Sequence, residues 1–319
     1  MKNFSYTLTV FILIYSGIVG VFAQTSIPTK MEPMGEEGFK VLSDFYKYDK
    51  KIPLDYKLIR AADFEHFTRE KFVFTGHNRR KVPAFLAIPK TGKGTYPLIC
   101  VMHGGGSHKN IYWPDGSAAE GHIARMTQEL IKSGYAVLML DALYYGERSN
   151  ADYHDHTVPH RPGNEILVRD VIIHSTIDYR RAFDYLETRD DIDMSRVGSY
   201  GRSLGSMMSL TLGSMDERVK VMMPFALPTN IYDQQMGDLQ QVEKVLAPWH
   251  YYHGLKGKYV YFVYSKKDPL NSPGDVGNLY KLFESDKTQS KVYEWDCGHC
   301  SDPTDSQMEE WVEWFKENL

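Results

Sequence analysis

The chain has 319 residues, with 37 Lys and Arg against 41 Asp and Glu and a formal net charge of −4 at pH 7. Nucleic acids and anionic membranes attract strongly basic surfaces, so this balance argues against both as partners. The length is sufficient for one large α/β domain with a substantial core, and the sequence shows no internal repeat and no low-complexity linker.

The N-terminus has the pattern of a secretory signal peptide. A basic start, Met1-Lys2-Asn3, precedes an almost uncharged apolar run over residues 6–22, and the small residue Ala23 stands at the expected cleavage point. Residues 1–23 are therefore predicted to be a signal peptide, which makes the mature protein secreted or periplasmic, without membrane contact. An uncleaved membrane anchor is the alternative, because the run is near the lower length limit for spanning a bilayer.

The mature chain is predicted to contain an N-terminal extension, residues 24–64, and one main domain, residues 65–319. The extension has mixed charge and scattered aromatic residues, and we expect it to wrap the outside of the domain. The main domain opens with alternating apolar residues over 70–88 around a polar turn at 76–80, which is typical of a β-hairpin. The continuous apolar run 97–102 then predicts a buried parallel strand.

From that strand onward, strand and helix patterns alternate to the end of the chain. This alternation predicts the α/β fold class, with a mostly parallel central sheet covered by helices on both faces. The stretch 228–254 interrupts it and is predicted to be a small lid or extra helices. Predicted strands span residues 135–140, 197–200, 219–225, 259–264 and 291–295, and predicted helices span 119–132, 165–186, 276–283 and 305–315, with one more starting at Ser203.

The turn Gly201-Arg202-Ser203-Leu204-Gly205 lies between a predicted strand and a predicted helix. It matches G-x-S-x-G, in which a Ser occupies the apex of a strained strand-to-helix turn. So tight a turn presses the positions of Gly201 and Gly205 against neighbouring backbone, where a Cβ would clash. The following helix aims its N–H groups at the space above Ser203 and favours negative charge there. The pattern alone is weak and needs partners elsewhere in the chain.

Four motifs in a fixed order supply those partners and resemble the α/β-hydrolase family. They are His103-Gly104-Gly105-Gly106, the Gly-x-Ser203-x-Gly turn, Ser265-Lys266-Lys267-Asp268-Pro269 and Gly298-His299. The order Ser, Asp, His matches this fold and not the other serine hydrolases. The chain is most similar to the dienelactone-hydrolase-like and acetyl-xylan-esterase-like branch. The resemblance covers residues 71–319 and implies an α/β-hydrolase fold.

Ser203, Asp268 and His299 are the predicted catalytic residues. A Ser hydroxyl needs a base within hydrogen-bond reach, and a neutral imidazole can take its proton and later return it to the leaving group. The imidazole in turn needs a carboxylate to fix its tautomer. Asp268 follows the predicted strand 259–264 at the same sheet edge. Asp296 is the rival, but it precedes His299 by only three residues, which makes an approach to the far side of the ring awkward.

The resemblance also implies groups around the reacting ester. Backbone N–H groups of Leu204 and Gly105, with Gly106 as a second candidate in the glycine run, are predicted to bind the developing oxyanion. Ser206 stands where many relatives carry another Gly, a change that would tighten the start of the helix. Side chains predicted to contact the substrate are those of His103, Tyr144, Tyr145 and Arg202.

Cys297 and Cys300 form a C-x-x-C motif around His299. In thiol-disulfide oxidoreductases this motif opens a helix early in the domain, whereas only nineteen residues follow Cys300 here. A structural disulfide that clamps the His299 loop is the favoured hypothesis, because positions i and i+3 of a turn lie within disulfide reach and exported compartments oxidise thiols.

A histidine-rich stretch, His154-Asp155-His156 with His160 and Arg161, could bind a metal ion. We interpret it as a solvated loop beside the active-site edge, because chemistry like that of the family requires no metal. No cofactor is expected for the same reason.

These observations predict a secreted serine carboxylic-ester hydrolase that works through an acyl-enzyme, with acetylated carbohydrates or other small esters as substrates. A serine peptidase of the prolyl-oligopeptidase type shares the fold, but such enzymes usually carry a large N-terminal propeller, and only a short segment precedes the hairpin here. A non-catalytic binding protein on a hydrolase scaffold is a third reading. The oligomeric state is not indicated by the sequence.

Overall fold

The computed structural model describes residues 32–92, 94–150, 164–229, 245–270, 273–284, 289–299 and 302–319. The strands are β1 (Lys57–Asp63), β2 (Phe67–Thr75), β3 (Lys81–Pro89), β4 (Tyr96–Met102), β5 (Ala136–Leu140), β6 (Ile192–Arg202), β7 (Val219–Phe225), β8 (Tyr259–Ser265) and β9 (Gln289–Trp295). The helices are α1 (Glu36–Asp44), α2 (His122–Lys132), α3 (Glu165–Leu186), α4 (Leu204–Met215), α5 (Pro273–Glu284) and α6 (Asp305–Asn318), and Pro248–Leu255 forms a 3-10 helix.

All nine of these strands lie in one sheet, in the order β1-β2-β3-β5-β4-β6-β7-β8-β9. The strands from β4 to β9 are parallel to one another. Alternate side chains of β4 enter two cores: Leu98 and Cys100 pack with α3 and α4, and Ile99 and Val101 pack with α2 and α6. A strand covered on both faces needs a continuous apolar run, which β4 has. The predicted α/β class with a mostly parallel sheet is confirmed.

The first three strands are antiparallel and extend the sheet beyond β5. β2 and β3 form the predicted hairpin, with Phe67 opposite Pro89 and Thr75 opposite Lys81. β1 and α1 occur within residues 24–64, where the sequence predicts only an external extension, so the sheet continues across the expected boundary at residue 64. The sequence does not predict β1, because it is an edge strand whose side chains are mostly exposed. Such a strand lacks the alternation of apolar and polar residues that indicates a half-buried strand.

Part of the predicted lid, residues 228–254, is described by the structure. The 3-10 helix Pro248–Leu255 packs at the C-terminal end of α4, where the Ser214 hydroxyl donates to the Tyr251 carbonyl over 2.8 Å. Since a helix rises about 1.5 Å per residue, this contact lies roughly 16 Å along α4 from Ser203. The 3-10 helix therefore belongs to the wall of the core and does not cover Ser203.

Several predicted features fall outside the described residues. These are the signal peptide at 1–23, the histidine-rich stretch within 151–163, residues 230–244 of the predicted lid, and Cys300. The interpretation of the histidine-rich stretch as a solvated loop and the Cys297–Cys300 disulfide accordingly stay predictions. Within the part of the chain that is described, no helix is both long and apolar enough to cross a membrane.

Candidate active site

Ser203 occupies a sharp turn between β6 and α4. Its φ of 55° and ψ of −116° lie in a region that residues other than glycine rarely adopt. The turn is held by hydrogen bonds: the Ser203 N–H donates to the Phe225 carbonyl over 2.9 Å, and the N–H and the hydroxyl of Ser206 both donate to the Ser203 carbonyl. Ser206 thus tightens the start of α4 in the predicted manner.

The two glycines of this turn have no room for a side chain. A Cβ at Gly201 would lie 2.0 Å from the carbonyl oxygen of Gly205, and a Cβ at Gly205 would lie 2.3 Å from the carbonyl oxygen of Met102. The steric reason predicted for both glycines is confirmed. The absence of a side chain at Gly205 also lets α4 start directly against the end of β4, where the glycine run begins.

The structure brings Ser203, His299 and Asp268 together at the carboxyl edge of the sheet. His299 Nε2 lies 3.0 Å from Ser203 Oγ, and His299 Nδ1 lies 2.6 Å from Asp268 Oδ2. Ser203 follows β6, Asp268 follows β8 and His299 follows β9. The carboxyl ends of parallel strands lie at one edge of the sheet. The Asp268 side chain is fully buried, whereas the His299 side chain is 25 % exposed. The arrangement is a hydrogen-bonded chain that runs from a buried carboxylate to a hydroxyl.

Asp268, and not Asp296, is the carboxylate that contacts His299. The second oxygen of Asp268 accepts a hydrogen bond from the Leu270 N–H over 2.8 Å, which fixes the plane of the carboxylate. Asp296 is exposed and forms an ion pair with Lys267 at 3.0 Å. The sequence-based preference for Asp268 over its rival therefore agrees with the geometry.

The predicted oxyanion donors belong to two segments, the start of α4 and the glycine run after β4. A Cβ at Gly104 would lie 3.8 Å from the Cβ of Ser203, so the glycine run passes beside the nucleophile turn. Gly106 has a φ of 79°, which a glycine adopts without strain. Among the described residues, nothing lies within 4 Å of a Cβ built on Gly105, so a ligand can approach its backbone. Leu204 is the first residue of α4, and its N–H has no acceptor within the helix.

His103 is a buried structural residue, which corrects its prediction as a substrate contact. Its side chain is fully buried, Nε2 accepts from the Ala142 N–H over 2.9 Å, and Nδ1 lies 2.8 Å from the Gly104 carbonyl oxygen. Because the Ala142 N–H can only donate, Nδ1 carries the proton and donates to Gly104. Burial lowers the pKa of His103, so the ring stays neutral and keeps both bonds. Neither nitrogen is left for a substrate.

A cavity of about 420 Å³ opens beside the glycine run. Tyr144 and Tyr145, two of the predicted substrate contacts, line it, although both side chains are largely buried. Tyr144 has a φ of 71°, so its backbone is strained. Arg202 is partly exposed next to Ser203 and is not part of this wall. The remaining lining residues are Gly106, Ser107, His108, Asn110, Gly146, Glu147 and Ser149.

A charged cluster joins the loops that line this cavity. Lys109 Nζ donates to Asp141 Oδ2 over 2.7 Å and to Glu147 Oε1 over 2.5 Å, and the side chains of Lys109 and Asp141 are fully buried. Burial raises the pKa of Glu147, but hydrogen bonds from Lys109 and Lys71 outweigh it and lower that pKa to about 2. Lys109 carried no sequence signal, because an isolated Lys is ordinarily exposed.

Across the described ranges, no group of three or more His, Cys, Asp or Glu side chains is arranged to hold a metal ion.

Comparisons with known proteins place the chain near hydrolases. No protein-family model matches it. It is 25% identical over 190 residues to the Bacillus subtilis (strain 168) protein YtaP, whose name assigns it to the hydrolases, and the match covers 57% of this chain and 60% of YtaP. The chain thus spans less than two thirds of the length of that curated relative.

Two solved structures share the architecture. Acetyl xylan esterase 1 from Thermoanaerobacterium sp. JW/SL YS485 superposes with a TM-score of 0.65 at 17% identity, covering 89% of this chain and 94% of that chain. The glucuronoyl esterase from Solibacter usitatus superposes with a TM-score of 0.61 at 14% identity, covering 87% of this chain and 91% of that chain. At such identities the likeness shows a common fold.

Proposed function

Because the chain has the α/β-hydrolase fold, we propose that it is a serine carboxylic-ester hydrolase that works through an acyl-enzyme. One observation carries this proposal. Ser203 and His299 lie 96 residues apart along the chain, and Asp268 and His299 lie 31 residues apart. Their side chains nevertheless form one hydrogen-bonded series at the carboxyl edge of the sheet. A strained nucleophile turn, an imidazole and a buried carboxylate in that order are the parts that acyl transfer requires.

In the proposed acylation, Ser203 Oγ attacks the ester carbonyl while His299 Nε2 takes its proton. Nε2 must be unprotonated for this step, and the carboxylate of Asp268 ensures it, because an ionised carboxylate can only accept and so holds the proton on Nδ1. The tetrahedral intermediate collapses when His299 returns the proton to the alcohol, which leaves. A water molecule then repeats the sequence on the acyl-enzyme, releasing the acid and restoring Ser203.

The N–H of Leu204 and that of Gly105, with Gly106 as the neighbouring candidate, would bind the oxygen that becomes negative in both intermediates. Ser206 bonds the Ser203 carbonyl, next to the Leu204 N–H, and His103 bonds the Gly104 carbonyl, next to the Gly105 N–H. Because both backbone segments are held in this way, the donors need no reorganisation during the reaction. One preorganised donor of this kind contributes roughly 3 kcal/mol to transition-state stabilisation.

For the substrate we propose a small ester, with acetylated carbohydrate as the leading class. Two facts support it: the cavity wall offers hydroxyl, amide and carboxylate groups that can bond sugar hydroxyls, and one structural neighbour is an acetyl xylan esterase. A secreted or periplasmic location follows from the predicted signal peptide and would suit an exported polymer-derived substrate.

The test is hydrolysis of p-nitrophenyl acetate by wild type, Ser203→Ala and the control Ser195→Ala, whose hydroxyl is exposed at the start of β6 and bonded to Asp193. We expect Ser203→Ala alone to be inactive, and a fluorophosphonate to modify the peptide that contains Ser203. Activity that survives Ser203→Ala contradicts the proposal. Inactivity of all three proteins on aryl esters and acetylated sugars favours a binding protein, and cleavage of dipeptide arylamides instead favours a peptidase.

A further inference from the structure

The glycine run lies beyond the sheet and must be held by side chains. β4 ends at Met102, so Gly104 to Gly106 receive no support from strand pairing. Two side chains connect this segment to the loop after β5: His103, through the Ala142 N–H, and Lys109, through Asp141. The glycine run is thus bracketed by one attachment at each of its ends.

Asp141 is the centre of the second attachment. Its Oδ1 accepts from the Lys109 N–H over 2.8 Å, and its Oδ2 accepts from Lys109 Nζ over 2.7 Å and from the Glu147 N–H over 3.0 Å. A Cβ at Gly146 would lie 2.6 Å from the Asp141 carboxyl carbon, so the loop is folded tightly around it. One carboxylate therefore fixes the backbone of both loops.

The third member of the cluster reaches the cavity. Glu147 accepts from Lys109 Nζ with one oxygen and from Lys71 Nζ with the other, at 2.6 Å, and its side chain is partly exposed in the cavity wall. Tyr144 and Tyr145 lie between Asp141 and Glu147 in the same loop. A shift of the Lys109–Asp141 pair would therefore move the glycine run and the tyrosine wall together.

Stability alone does not explain a fully buried Lys–Asp pair. Removing two charges from water carries a large desolvation cost, and replacing a buried ion pair by apolar residues of similar volume is often neutral or stabilising. A buried ion pair can instead specify one geometry, and here the pair joins the proposed oxyanion donors to the wall of the substrate cavity.

We propose that Lys109 and Asp141 are positioning residues for the ester hydrolysis: their buried ion pair sets the location of the Gly105 and Gly106 N–H groups relative to Ser203. This inference rests on the proposed function. It assigns no chemical step to either residue, since both act through the backbone that they hold.

The experiment compares wild type with Lys109→Met and with Lys71→Met, a control that removes the other cation from the same Glu147 at its more exposed side. We expect Lys109→Met to lower kcat on p-nitrophenyl acetate by about 10- to 100-fold with KM changed by less than about threefold, because misplaced oxyanion donors weaken only the transition state. Affinity for an arylboronic acid, which mimics the tetrahedral intermediate, should fall in parallel. Lys71→Met should stay within about twofold of wild type in both measurements.

A second variant separates positioning from folding. Lys109→Met leaves Asp141 as a lone buried charge, whereas Lys109→Met combined with Asp141→Asn removes both charges, so we expect urea unfolding to return toward the wild-type midpoint while kcat stays low. Recovery of kcat together with stability, wild-type kcat in a folded Lys109→Met protein, or failure of both variants to fold would overturn the inference. Failure of the proposed function is distinguishable, because it appears as an inactive wild type or an active Ser203→Ala.

Discussion

The two ends of helix α4 carry polar clusters of opposite character. At the C-terminal end, Asp216 is paired with Arg218 at 2.7 Å and with Arg180 at 3.1 Å, and Lys258 Nζ donates to the carbonyl oxygens of Gly213 and Asp216. The cations there match the negative end of the helix dipole. At the N-terminal end, a strained backbone presents the Ser203 hydroxyl to a partly exposed imidazole.

Under the proposed function, the two ends of this buried helix serve different purposes. Ionic groups at the C-terminal end pair with one another, so removal of one of them leaves its partners partly buried without it. The N-terminal end keeps a strained backbone and a partly exposed Ser203, as the proposed catalytic role of this turn requires. Substitutions of hydrogen-bonding side chains at the N-terminal end should therefore reduce activity more than stability, and substitutions of the charged side chains at the C-terminal end should do the reverse.

The largest expected effect is that of Asp268→Asn at the N-terminal end. The amide keeps the size of the side chain but donates a hydrogen bond toward His299, which favours the wrong imidazole tautomer, so we expect kcat to fall by roughly 10⁴-fold. The unfolding midpoint in urea should remain close to that of wild type. The matched control Asp296→Asn, at the exposed rival carboxylate, should leave kcat unchanged. A decrease in kcat of less than tenfold for Asp268→Asn would contradict the proposed role of Asp268 at the N-terminal end of α4.

Gly205→Ala should disturb the same end through packing. The new Cβ would lie 2.3 Å from the Met102 carbonyl oxygen, and backbone cannot rotate away as a side chain can. We expect the free energy of unfolding to fall by more than about 4 kcal/mol, with activity lost as the turn deforms. Gly277→Ala in α5, where a Cβ meets nothing within 4 Å, should be neutral or stabilising by up to about 1 kcal/mol. Equal stability of the two variants would contradict the steric account.

At the C-terminal end, Asp216→Ala should cost stability and spare catalysis. Loss of the buried carboxylate removes the partner that Arg218 and Arg180 share, while Arg218 keeps Asp184 and Glu187. We therefore expect about 2 kcal/mol of destabilisation in urea unfolding, below the value for a buried charge left without any partner. kcat on p-nitrophenyl acetate should stay within about twofold of wild type at a temperature where the variant is folded. A large loss of kcat in the folded protein would show that the two ends are coupled.

The smallest effect concerns pH. Burial lowers the pKa of Lys258 from 10.5 to about 8, so between these values the unfolded chain binds more protons than the folded one. Stability should therefore rise with pH from about 8, by at most about 1.4 kcal/mol per pH unit. Unfolding of wild type and Lys258→Met from pH 7.5 to 9.5 measures this, and the rise should be absent in the variant. Parallel curves for the two proteins would show that Lys258 does not titrate in this window.

Elements whose cause is local could be predicted from the sequence. α3 and β7 have the predicted bounds, because apolar spacing and turn residues act over a few positions. The G-x-S-x-G turn was predictable for the same reason, since the clash at Gly201 and Gly205 arises within the turn and its nearest strand. The convergence of Ser203, Asp268 and His299 followed from the parallel sheet, and their catalytic roles remain predictions.

Which polar residues are buried, and which segments they hold in place, depends on contacts between distant parts of the chain. The Nε2 atom of His103 accepts a hydrogen bond from the Ala142 N–H, and Lys109 pairs with Asp141, thirty-two residues away in the chain. β1 exists because β2 offers it an edge to pair with. In each case the partner comes from a distant segment, and the free energy of burying a polar group or adding a strand depends on that partner, about which the local sequence carries no information.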